Sequence, residues 1–118
     1  MHKKTLLGRE GEALIEKYLN NLGFTLLEKN YSRYYGEVDL IAANKDTIAF
    51  VEVKMRTQAQ FDLSEVITLA KQKKIIKVAK DYLAFHDHDM KTCRFDVALI
   101  DSSAKNPITY IEDAFREL

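Results

Sequence analysis

Three charged residues, Asp39, Glu52 and Lys54, stand inside two largely apolar runs, GEVDLIA (Gly36 to Ala42) and FVEVK (Phe50 to Lys54). Chains rarely place charges in such company unless the charges are paired or hold an ion. Two carboxylates suit Mg²⁺ or Mn²⁺, hard cations that take oxygen ligands, keep several waters and bring them to phosphate substrates. A nearby ammonium can orient the attacking water or steady charge on the phosphoryl oxygens. The chemistry to expect is metal-dependent hydrolysis of a phosphodiester.

For that, the two runs must be brought side by side. Each is about strand length and rich in β-branched or aromatic residues, and Asn44, Lys45, Asp46 and Thr47 between them read as a tight turn. A two- or four-residue loop puts Ala43 in register with Ile48, and counting back sets Asp39 opposite Glu52, with Lys54 on the same face by alternation. A three-residue loop would turn Glu52 to the other face. Two carboxylates ~5 Å apart repel by about 3 kcal/mol at an effective dielectric of about 20, so something cationic must sit between them. The plainer alternative is that Lys54 neutralises one carboxylate and the trio is a structural ion cluster.

These strings, preceded by Gly8 and Gly11-Glu12-Ala13 and followed by Lys71 and Arg94-Phe95-Asp96-Val97, resemble the YraN-like family of small bacterial predicted endonucleases. That family is related to archaeal Holliday-junction resolvases within the PD-(D/E)XK nuclease superfamily. The resemblance covers almost the whole chain. It implies a restriction-endonuclease-like core in which Asp39, Glu52 and the backbone carbonyl of Val53 hold Mg²⁺, Lys54 assists the water, and Glu12 supplies a further carboxylate from a helix. Lys71 matches a phosphate-binding helical lysine. Where the superfamily has proline before the aspartate, this chain has Val38, a departure the YraN-like family shares. Resolvase relatives act as dimers on branched DNA, so by analogy the resemblance also implies a homodimer.

With 118 residues, 47% of them hydrophobic, the chain can bury one core and hardly two, so one domain over residues 1–118 is expected. Eighteen basic residues balance eighteen acidic ones, so a nucleic-acid partner must be held by local patches. The single cysteine, Cys93, excludes a disulfide within the chain, suits a reducing cytoplasmic setting and reads as a small buried or half-buried side chain. No run approaches the ~18 apolar residues of a membrane span.

Helical spacing predicts a first helix from about Thr5 to Leu22, with Leu7, Gly11, Leu14, Ile15, Tyr18 and Leu22 on its apolar face and Glu12 on the flank. Gly8 and Gly11 within it suggest a close approach to the hairpin or to substrate. Phe24 to Lys29 reads as a strand leading into Asn30-Tyr31-Ser32-Arg33-Tyr34-Tyr35, where tyrosines around Arg33 could stack bases and touch phosphate or serve as half-buried packing. A second helix should start at Asp62 or Ser64, where Asp62-Leu63-Ser64-Glu65 resembles a capping box, and run to about Phe85. Leu69, Ile75, Ile76, Ala79, Tyr82 and Leu83 would form its apolar face. Gln72 lies within that face, where it needs a partner in the sheet backbone or a metal-site water network. Phe85 should pack where the helix ends. Lys73, Lys74, Lys77 and Lys80 make a basic stripe, and with Arg33, Arg56, Lys71 and Gln72 the first three are candidate substrate contacts.

His86-Asp87-His88-Asp89 reads as a solvated connector, because its groups lack converging ligands elsewhere. Cys93 to Ile100 and Ile108 to Ile111 are two further strands with a turn at Pro107, and Glu112 to Leu118 a short terminal helix. Arg94 and Asp96 share a face and can pair. The order predicts an α/β fold, a central mixed five-stranded sheet with an antiparallel hairpin flanked by helices. The expected function is a Mg²⁺- or Mn²⁺-dependent endonuclease, selective for DNA structure because no base-reading helix is apparent. Two alternatives remain: a DNA-binding module without useful turnover, and a protein-interaction or assembly factor, which zero net charge favours.

Overall fold

A computed structural model describes residues 6–57 and 62–117, with the side chains of residues 6 and 7 left out. The described order is α1 (Leu6–Asn21), β1 (Thr25–Arg33), β2 (Gly36–Ala43), β3 (Thr47–Arg56), α2 (Leu63–Val66), α3 (Leu69–Phe85), β4 (Thr92–Asp101) and β5 (Ile108–Phe115). The strands form one five-stranded sheet in chain order. β1, β2 and β3 are successively antiparallel, β3 and β4 run parallel through the helical crossover, and β5 returns antiparallel to β4. This is the expected mixed α/β arrangement, consistent with a restriction-endonuclease-like core.

Strand alternation divides the core between the two faces. Ile48 and Phe50 of β3 pack with Ile41, Phe95 and Val97 under Ile75, Val78 and Tyr82 of α3. Ala49 and Val51 pack with Leu40, Ala98 and Ile100 under Ile15 and Leu19 of α1. Gly11 lets α1 lie close, since a Cβ there would stand 3.1 Å from Met55 Cβ and 3.4 Å from Val53 Cγ1 of β3. The close approach expected of this glycine is therefore to the hairpin.

Several expectations are corrected. The buried face of α1 runs through Gly11, Glu12, Ile15 and Leu19, while Leu14 and Leu22 are exposed. Glu12 thus sits within the buried face rather than on its flank; reading carboxylates as solvated displaced the stripe. Thr5 and the side chain of Leu7 lie outside the described residues. β1 continues through Asn30, which adopts a left-handed φ of 53°, to Arg33. The second helix is two helices. Asp62 caps α2 by accepting from the Ser64 amide at 3.1 Å, but three β-branched residues, Val66, Ile67 and Thr68, follow. The Thr68 hydroxyl then caps α3 by accepting from the Lys71 amide at 3.2 Å.

That break leaves Leu69 exposed, although it was expected on the apolar face, and Phe85 is exposed rather than packed. The segment from Glu112 is strand rather than helix as far as Phe115, whose ring stacks on that of Phe95, and Leu118 lies outside the described residues. Cys93 is exposed rather than buried. In the connector, His86 stacks on Tyr82 at 4.0 Å, and no group of three or more His, Cys, Asp or Glu side chains among the described residues is arranged to hold a metal. No helix among the described residues is long and apolar enough to cross a membrane.

Candidate active site

The β2–β3 turn has the expected register, Ala43 opposite Ile48, with Asn44 Oδ1 accepting from the amides of Asp46 and Thr47. Pairing runs back to Leu40 opposite Val51. One step further, where Asp39 and Glu52 stand, a side chain joins the strands: Asp39 Oδ2 accepts the Val53 amide at 2.8 Å. Both carboxylates are buried, Asp39 at 4% exposure and Glu52 at 6%.

Glu52 also hydrogen-bonds Asp39 and forms an ion pair with Lys71 Nζ from the first turn of α3. Its carboxyl is pushed up to about 8, by burial first and by the charge and hydrogen bond of Asp39 next. Lys71 pulls the other way and does not prevail, because its side chain is 41% exposed and its field is screened by water. The ion pair of Glu52 is therefore with Lys71 of α3. Lys54 is half-buried on the same strand face as Glu52 and two residues beyond it.

Asp39, Glu52 and Lys71 line one cavity of about 1050 Å³ with Arg33, Tyr34, Tyr35, Glu37 and Lys74. Gly36 permits the approach of α3 on this side, since a Cβ there would stand 3.2 Å from Lys74 Cβ and 3.4 Å from Val78 Cγ2. Two carboxylates buried side by side and opening on a cavity are oxygen donors that fit a hard divalent ion. Mg²⁺ is commonly held by one or two carboxylates with water completing the shell.

The other candidate residues lie in different places. Glu12, 2% exposed, accepts from Asn30 Nδ2 at 3.1 Å and does not line the cavity. Asn30 stands in β1 at the position opposite Asp39, between the pairs Lys29–Leu40 and Tyr31–Val38, so it links the helical carboxylate to the strand carrying Asp39. Only its left-handed φ distinguishes it, and sequence reasoning passed over it. Gln72 donates from Nε2 to the Ile67 carbonyl at 3.2 Å, across the break between helices, not to the sheet. The basic stripe is divided. Lys74 lines the cavity, Lys77 lies 4.3 Å over the Tyr35 ring, and Lys73 opens on a different hollow beside Arg116. Arg56 is exposed at the end of β3.

Arg94 and Asp96 form a separate buried network. Asp96, fully buried, accepts from Arg94 Nε at 2.9 Å, the Tyr110 hydroxyl at 2.6 Å and the Asp113 amide at 2.9 Å. It fills the irregularity where the β4–β5 register shifts after Phe95 and Asp113 takes a left-handed φ of 54°. Through these bonds it ties β4 to β5.

Residues 11–100 match the model of the family described as Uncharacterised protein family UPF0102. The chain belongs to this family. A UPF0102 protein of Nitrosomonas europaea is 43% identical over 111 residues, 93% of each chain, and one of Chlorobium chlorochromatii is 41% identical over 117 residues, 92% of this chain and 90% of its own. A third, from Caldanaerobacter subterraneus, is 44% identical over 98 residues, 82% of this chain and 80% of its own. The matched span contains Glu12, Asp39, Glu52, Lys54, Lys71 and Asp96.

Proposed function

We propose that the protein is a divalent-cation-dependent endonuclease that hydrolyses phosphodiester bonds in DNA at the Asp39–Glu52 pair. The observation that carries this reading is the pair itself: two carboxylates buried side by side between β2 and β3, with Glu52 pushed up to about 8 and paired with Lys71, opening into a cavity rimmed by Lys71, Lys74 and Arg33.

In this reading Asp39, fixed by the Val53 amide, and Glu52 hold Mg²⁺ or Mn²⁺, with the Val53 carbonyl as a third oxygen. When bound, the ion acidifies a water and offsets charge on the phosphate. Lys54, on the strand face of Glu52, orients the attacking water. Lys71 would contact a phosphoryl oxygen from its place beside Glu52, and Lys74 and Arg33 would hold the flanking phosphates. Glu12 supports the site through Asn30 and the strand of Asp39. Mn²⁺ binding followed by electron paramagnetic resonance tests the ligand set. Wild type should bind, and Asp39→Asn and Glu52→Gln should each weaken binding at least tenfold, in step with loss of DNA cleavage. Unchanged binding in both variants would move the site elsewhere.

A further inference from the structure

We infer that the β1–β2 turn is a stacking platform that selects DNA with unpaired bases beside the reacting phosphate, with Tyr34 as the specificity-determining residue. The inference deepens the endonuclease reading and rests on it. Tyr34, at the tip of the turn, is 97% exposed, so nearly its whole ring is open to a planar partner. A single exposed aromatic is ordinary; here the surroundings set it apart. The ring of Tyr34 stands edge-on to Tyr35 at 5.0 Å and 86°. Tyr35 is held in turn beneath the Lys77 ammonium at 4.3 Å, and its hydroxyl is buried without a hydrogen-bond partner among the described residues. On the strand leading into the turn, the Arg33 guanidinium lies 4.4 Å over Tyr31. The ring beneath Tyr34 is thus fixed from α3 by Lys77.

Arg33, Tyr34 and Tyr35 line the same cavity as Asp39, Glu52, Lys71 and Lys74. At about 1050 Å³ it lies at the upper end of the roughly 300–1,000 Å³ usual for small-molecule clefts, which suits a polymer passing through. From Tyr34 to Asp39 is five residues, roughly 15 Å along an extended strand, the reach of a few nucleotides. Cations near the carboxylates would take phosphates, and the free ring at the far end would take a base. Stacking on a ring needs a base whose face is open, and a paired base inside a duplex offers none. Phosphate contacts from Lys71, Lys74 and Arg33 serve duplex and single strand alike, so stacking decides which DNA is preferred.

The test is binding of an oligodeoxynucleotide carrying 2-aminopurine, single-stranded or annealed to its complement, to the full chain in EDTA, where binding is read without cleavage. Wild type and Tyr34→Phe should bind the single strand with quenching of the fluorophore. Tyr34→Ala, which removes a ring that is 97% exposed and should leave thermal melting unchanged, should bind roughly 10-fold or more weakly and lose the quenching. Duplex should bind more weakly than single strand and be indifferent to the substitution. Equal binding by Tyr34→Ala and wild type, or wild-type preference for duplex, would overturn the inference. Because no cutting is read, absence of cleavage elsewhere would defeat the endonuclease reading alone, whereas cleavage with no quenching would defeat this inference alone.

Discussion

Replacing Glu52 by glutamine should make the metal-free protein more stable at alkaline pH. An unfolded glutamate titrates near 4.5, whereas burial and Asp39 hold the folded Glu52 carboxyl at about 8. The folded state therefore keeps a proton that the unfolded state has lost between those values. Its contribution to stability is fully present below pH 4.5, declines as pH rises through the window, and is gone above about 8. At 1.36 kcal/mol per unit the interval corresponds to about 5 kcal/mol, and relaxation of the exposed Lys71 side chain should reduce the observed loss to ~3 kcal/mol. Glutamine keeps the shape and cannot ionise. Urea unfolding in EDTA from pH 5 to 9 should thus show wild-type stability falling while Glu52→Gln stays level across the window, crossing to become the more stable protein. Mg²⁺ at pH 8.5 should restore the wild type and stabilise the variant by less at the same concentration. Parallel profiles for the two proteins, or a variant less stable at pH 9, would refute the account of a Glu52 carboxyl held protonated by burial and Asp39.

Lys71→Met should lower DNA cleavage roughly 100-fold, the usual effect of removing one preorganised charge, measured as the single-turnover rate at saturating Mg²⁺. Asp96→Ala leaves Arg94, the Tyr110 hydroxyl and the Asp113 amide without their shared acceptor, and should cost about 3–5 kcal/mol in urea unfolding. Gly36→Ala places a methyl 3.2 Å from Lys74 Cβ and should cost ~1–2 kcal/mol, read as a lowered melting temperature, with weaker cleavage because α3 is pushed from the cavity.

The hairpin was legible because three signals agreed there: the strand composition, the Asn44–Thr47 turn and the two carboxylates in apolar runs. The mixed sheet followed from the order of helices and strands along the chain. What escaped was decided by tertiary partners. Glu12 is buried where a helical glutamate is ordinarily solvated, since Asn30 meets it, and that contact depends on a left-handed residue with no sequence mark. The helix break at Thr68 came from a cap competing with continuation, and it is the break that brings Lys71 to Glu52. β5 outran its apolar stretch because Asp96 accepts the Asp113 amide across the sheet and Phe115 packs on Phe95. Lys54 drew attention as the nearest lysine in sequence, whereas the ion pair goes to one nineteen positions away from Glu52.

The central claim is that Asp39 and Glu52 form a cation-dependent phosphodiesterase site. Cleavage of a labelled panel of duplex, single-stranded, flap and four-way-junction DNA with Mg²⁺, Mn²⁺ or EDTA, wild type beside Glu52→Ala and Lys54→Ala, tests it most directly. The account predicts cutting that requires the metal, is abolished by both substitutions and favours substrates with unpaired bases. Metal-independent cutting, full activity in Glu52→Ala, or no cutting of any substrate by a wild-type protein that binds Mn²⁺ would contradict it.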